Sequence, residues 1–197
     1  MRDFIQAINS RVVVFDGGMG ATLEQFDLTN EDYGGLEGKC HEALILNRPD
    51  VIEGVHTSML EAGAEVVETD TFQGSRLKLD EWGLGEHTLE INTKAAQIAR
   101  RAAGEDRFVA GSIGPTGHLP ASDDPTLGKI RFRELVETFT EQAQGLVEGG
   151  AERVLSTVPD SRMEVLPDCG HCPQIEDPGR VLELLQDFCA KPLAAAA

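Results

Sequence analysis

Glu61-Ala62-Gly63-Ala64-Glu65-Val66-Val67 and Glu148-Gly149-Gly150-Ala151-Glu152-Arg153-Val154 are two copies of one spelling. Each copy follows a stretch with helical spacing of apolar residues and leads into a β-branched run, so each reads as the loop from a helix end to a strand start. Working outward, Asn47-Arg48-Pro49-Asp50 opens the first of these helices with proline in its first turn, and Val51, Ile52, Val55, Met59 and Leu60 mark its apolar side. Val66–Thr69 is the strand that follows. Leu89, Ile91, Ala95, Ile98 and Ala102 predict a second helix, and Phe108–Ile113 a strand. A third helix runs from about Arg131 to Glu148, with Leu135, Val136, Phe139, Ala143, Leu146 and Val147 as its apolar residues, and Arg153-Val154-Leu155 begins another strand. Strands alternating with helices make this an α/β chain with a parallel sheet, whose working face lies at the carboxyl ends of the strands.

Those ends carry polar residues. Val12-Val13-Val14-Phe15 reads as a short buried strand and runs into Asp16-Gly17-Gly18-Met19-Gly20. A carboxylate there, beside glycines free to take positive φ, can approach a small polar ligand closely, although a plain turn has the same spelling. Two further strand ends join it, Glu68-Thr69-Asp70-Thr71 and Gly114-Pro115-Thr116-Gly117. Three such ends on one rim predict a site.

Composition narrows the class. The 197 residues include 34 acids against 17 bases, a net charge of -17, which excludes nucleic acid and anionic membrane surfaces as partners. Four cysteines, two of them in Cys169-Gly170-His171-Cys172, are too few for a disulfide scaffold. With no apolar leader and no run of membrane-spanning length, the expectation is a cytoplasmic protein.

Residues 10–152 resemble the homocysteine-binding barrel of the homocysteine S-methyltransferases, above all the first module of cobalamin-dependent methionine synthase. The motifs are Phe15–Thr22, Leu28-Thr29-Asn30-Glu31-Asp32-Tyr33, Pro49-Asp50-Val51-Ile52, Ala62–Phe72, Gly111–Gly117 and Leu146–Ala151, in the family's order and spacing. Asp70 departs from it, since asparagine is usual there. The resemblance implies a (β/α)8 barrel of which this chain holds the first three to four βα units. It also implies a methyltransferase of methionine biosynthesis, in which a zinc-bound homocysteine thiolate attacks a methyl group. Homocysteine is the implied ligand, and Asp16 matches the acid that meets its amino end. The implied binding residues are Asp16, Gly17, Gly18, Met19, Glu68, Thr69, Asp70, Ser112 and Gly114. No residue matches the family's zinc thiolates, so the expected metal set is none and the expected activity of the isolated chain is nil. Cobalamin or folate would act only through modules outside this chain.

The resemblance gives way near residue 152. Residues 153–190 resemble the last strand, histidine loop and final helix of an α/β-hydrolase, with a strand at Ser161–Leu166, a helix at Pro178–Cys189 and His171 at the place of the general base. The nucleophile elbow of that family is missing; Ala110-Gly111-Ser112-Ile113-Gly114 fails its first glycine. The expected organisation is a partial barrel over 1–152, the hydrolase-like piece over 153–190, and a disordered end over 191–197. That makes a truncated or chimeric product the alternative to a methyltransferase. Its open sheet edges would invite a homodimer. Cys40-His41 has no standard zinc spacing with any second pair. His56 reads as a surface or boundary residue, His87 and His118 as unpaired loop residues, and Phe72 as packing.

Overall fold

A computed structural model describes residues 4–36, 40–118, 128, 130–151 and 153–155, together with 179, 180 and 183. The chain divides into one unit built on residues 14–156 and another on 2–13 and 157–197. Of the second unit, the described part is helix α1 (Phe4–Ser10) with the residues up to 13, and Gly179, Arg180 and Glu183, which are helical. His171, the Cys169–Cys172 motif, the expected strand at 161–166 and the end at 191–197 lie outside the described residues.

The first unit holds α2 (Met19–Leu23), α3 (Leu44–Asn47), α4 (Pro49–Glu61), β1 (Val66–Glu68), α5 (Arg76–Leu79), α6 (Thr88–Ala103), β2 (Phe108–Ser112), α7 (Phe132–Glu148) and β3 (Arg153–Leu155). The three strands pair in parallel in the order β1-β2-β3, with Val67 opposite Val109 and Gly111 opposite Val154. A helix-containing crossover joins each strand to the next, as the alternation predicts.

Both copies of the repeated spelling form the same turn. Ala64 N donates to Met59 O and Ala151 N to Leu146 O, while Gly63 and Gly150 take φ of 113° and 99°. A side chain at either position would be strained, which explains why the glycine recurs in both copies.

The stretch 12–15 departs from the expected buried strand. Phe15 makes an isolated parallel bridge with Val66, and Val14 is 52% exposed. Among the described residues it has a strand neighbour on one side only, so one flank of Val14 is uncovered.

Two apolar clusters hold the unit together. One joins Leu23, Tyr33, Leu44, Ile45, Ile52, Val55, Leu79 and Ile91 between the helices; the other packs Val67 and Val109 of the sheet on Ala96, Ala99 and Leu146. The Leu28–Tyr33 motif has a plain physical basis. Asp32 accepts from Thr29 N at 2.8 Å and Thr29 Oγ1 at 2.9 Å, and pairs with Arg48 at the start of α4, while Tyr33 enters the core. His56 is fully buried on α4 rather than at a boundary, neither ring nitrogen finds a partner, and burial lowers its pKa to about 4. His87 also departs from expectation, since its Nδ1 lies 3.0 Å from Glu90 Oε2.

Helix α7 departs in part from the expected face: Leu146 is buried as expected, but Val136 and Val147 are not. Thr138, Gln142, Gly145 and Leu146 are its buried residues, whereas Val136 and Val147 are exposed and Leu135, Phe139 and Ala143 only half-buried. Gly145 decides this: a Cβ there would lie 2.8 Å from the Asn92 Cβ and 2.9 Å from Leu89 O of α6. Close backbone approach on the small-residue side turns the larger apolar side chains outward. Phe132, Leu135, Val136, Phe139 and Ala143 line an open groove of about 430 Å³.

Candidate functional site

The parallel register brings the ends of the stretch 12–15, β1 and β2 to one rim. Asp16 N donates to Val66 O at 3.0 Å, and the Asp16 carboxylate accepts from Glu68 N at 2.9 Å. Asp16 thereby spans the gap between two neighbouring chain segments. Glu68 in turn accepts from Ser112 Oγ at 3.2 Å, so Asp16, Glu68 and Ser112 form one connected group.

Asp16 is half-buried. Burial raises its pKa to about 7, the Glu68 amide opposes the rise, and the Glu68 carboxylate adds to it. A carboxyl group poised this way favours a cation beside it, because a positive charge restores the ionised form. Gly17 and Gly18 flank the acid and are exposed. Neither takes the positive φ expected of them; Gly18 has φ of −68°. Their contribution is room, since a Cβ on Gly17 would meet nothing within 4 Å. Met19 begins α2, half-buried beside them.

Thr69 and Asp70 lie beneath this group. The Thr69 hydroxyl is 2.7 Å from that of Thr71 and accepts from Ser112 N at 2.9 Å, and Thr71 Oγ1 donates to Ser112 O at 2.8 Å. These bonds tie the β1 end to the β2 end and leave the Thr69 hydroxyl engaged with protein. Asp70 is buried, with its Oδ2 unpartnered. Burial raises its pKa, and the carboxylate of Glu42 raises it further. Glu42, in the 3₁₀ turn His41–Ala43, is also buried, and its carboxylate accepts from Gln73 N at 2.7 Å. Nothing in Cys40-His41-Glu42-Ala43 signals this role, because a buried acid has no sequence pattern of its own. Gly114 packs rather than opening the rim: a Cβ there would lie 2.9 Å from two ring carbons of Phe72.

The family chemistry asks for zinc. Among the described residues no group of three or more His, Cys, Asp or Glu side chains is placed to hold a metal ion. The one described thiol, Cys40, is buried beside Glu42, and burial and that carboxylate push its pKa up to about 12. It is held as a thiol, the wrong form for a zinc ligand. The described residues therefore do not fit a zinc site, whereas the Asp16 group fits a small cationic moiety.

The sequence model for homocysteine S-methyltransferase matches residues 13–163, running past residue 152. The methionine synthase of Mycobacterium tuberculosis (strain ATCC 25618 / H37Rv) is 39% identical over 159 residues, 78% of this chain and 13% of that protein. That of Mycobacterium leprae (strain TN) has the same identity and coverage. Thus the chain spans a small part of the curated relatives it matches. Among solved structures, the homocysteine methyltransferase MmuM from Escherichia coli in its oxidized form aligns with a TM-score of 0.55 at 22% identity, over 77% of this chain and 53% of that one. The metallated form aligns with a TM-score of 0.57 at 21% identity, over 75% and 54%. At such identity the likeness establishes the fold. No helix among the described residues is long and apolar enough to cross a membrane.

Proposed function

The chain belongs to the homocysteine S-methyltransferase family, and from that premise we propose that its rim binds the amino end of homocysteine. The observation that carries this is the half-buried Asp16 carboxyl, fixed by Glu68 N and raised in pKa to about 7. An ammonium group placed there gains a charge-assisted hydrogen bond and returns the acid to its ionised form. Glu68 supplies a second negative charge, and Ser112 Oγ holds it by donating to its carboxylate.

On this reading the sheet and its helices are the first βα units of a (β/α)8 barrel. The described residues do not fit zinc and carry no methyl-transfer step of their own. The isolated chain is a binding module, expected to transfer no methyl group. Pairing of two copies is the second reading, favoured by the outward apolar stripe of α7 and opposed by the net charge of -17.

Titration calorimetry of the full chain with L-homocysteine tests the proposal. Binding at pH 7 is expected to release about half a proton, seen as a buffer-dependent enthalpy, and to release much less near pH 8, where Asp16 is mostly ionised and the ligand amine is still mostly protonated. Absence of binding, or an enthalpy at pH 7 that ignores the buffer, overturns it. Light scattering on the same sample separates monomer from dimer.

A further inference from the structure

The loop after β1 is held far more firmly than a surface turn requires. Thr71 O accepts from Gln142 Nε2 of α7 at 2.8 Å, and Phe72 O from Gly114 N at 2.9 Å. Gln73 N donates to Glu42 at 2.7 Å, and Gly74 O accepts from Asn92 Nδ2 of α6 at 2.7 Å. Gln142 and Asn92 are fully buried, and Glu42 nearly so. Burying three such side chains costs desolvation that their hydrogen bonds only offset. They come from three different elements and hold the backbone of Thr71, Gln73 and Gly74, on either side of Phe72. What this rigid loop displays is an exposed aromatic: Phe72 is 58% exposed, although the sequence marks it for packing.

Phe72 belongs to the same rim as the acid group. Its ring rests against Gly114, two residues beyond Ser112, and Ser112 is bonded to Glu68, whose amide holds Asp16. A fixed apolar surface on the rim that also carries a fixed carboxyl group matches a ligand with an ammonium at one end and a short apolar or sulfur-bearing chain at the other.

We propose that Phe72 is a specificity-determining residue of this site, its ring forming the apolar wall on which the side chain of an amino-acid ligand lies. Gln142, Asn92 and Glu42 are then positioning residues, acting through the loop that carries the ring. The inference rests on the amino-end reading given above and extends it to the side-chain end.

Calorimetry with L-homocysteine on the full chain and on Phe72→Ala and Phe72→Leu tests it. Phe72→Ala should weaken binding about tenfold, the order expected for losing cover over two methylene groups. Phe72→Leu should stay within about threefold of the parent. The melting temperatures should barely move, because the ring is exposed. Proton NMR supplies a readout that a merely structural role would not shift. The ligand methylene resonances should move upfield on binding the parent, under the ring current of Phe72, and lose that shift in Phe72→Leu. If the parent binds and Phe72→Ala binds equally well with methylene resonances unshifted, this inference falls and the amino-end reading stands. If the parent does not bind, both fall.

Discussion

Asp16 with Glu68 and Asp70 with Glu42 are two acid pairs, each with one member at or just past the end of β1, and they are held in opposite ways. Asp16 keeps contact with solvent and accepts a backbone hydrogen bond, and its environment leaves it near its ionisation midpoint at neutral pH. Asp70 is sealed in, has an oxygen with no partner, and feels the negative charge of Glu42. Among the described residues no lysine or arginine forms an ion pair with either Asp70 or Glu42; burial raises the Glu42 pKa, and the neighbouring His41 only moderates the rise. The open pair can be satisfied by a ligand. The closed pair must be satisfied by a proton. Glu68 and Asp70, two positions apart at the end of β1, therefore sit in opposite surroundings, one on the open rim with Asp16 and one sealed beneath it with Glu42.

The largest expected effect separates the two pairs by function. Asp16→Asn should weaken L-homocysteine about 100-fold, near 2.7 kcal/mol, by removing the charge that meets the ammonium. Asp70→Asn should leave the affinity within about threefold, since the amide keeps the shape of a neutral acid. Calorimetry on both variants decides it. Equal losses would erase the functional contrast.

Much of the fold is legible in the sequence because it rests on periodicity and on two glycines. The presence and order of α4, α6 and β2 follow from apolar spacing, and Gly63 and Gly150 announce one turn used twice. The face of α7 is not legible. Its hydrophobic pattern points one way, but Gly145 allows an approach to α6 that the pattern does not encode. In the site, Asp16 stands out because an acid closing a β-branched run is visible. Glu42 and the exposed Phe72 are not, because both depend on loops that meet only in three dimensions. His56 misleads for a related reason: a polar residue on the apolar side of α4 reads as a boundary until the neighbouring helices cover it.

The closed pair should also set how stability changes with pH. The folded-state pKa of Asp70 is raised, so folding favours its protonated form. That contribution is fully present below the unfolded pKa, near 4, and is lost as pH rises through the folded value. Asp70→Asn should therefore stabilise the chain by about 1–2 kcal/mol at pH 8 and do little at pH 4. Urea unfolding at the two pH values measures this. Asp16→Asn carries the same sign with a smaller amplitude, because solvent already screens Asp16.

The smallest expected effect tests whether Glu42 and Asp70 are one unit. Glu42→Gln keeps a carbonyl oxygen to accept from Gln73 N, so the loop stays anchored while the charge is removed. Either single neutralisation removes the same like-charge contact, and the second then relieves only the burial of the remaining carboxyl. At pH 8 the double variant should thus gain less than the sum of the two singles, with a coupling energy of about 1 kcal/mol in a double-mutant cycle. At pH 4 the coupling should vanish, because Asp70 is already neutral. Additive gains at pH 8 would mean that the two carboxyls are satisfied independently. The contrast with Asp16 and Glu68 would then rest on burial alone.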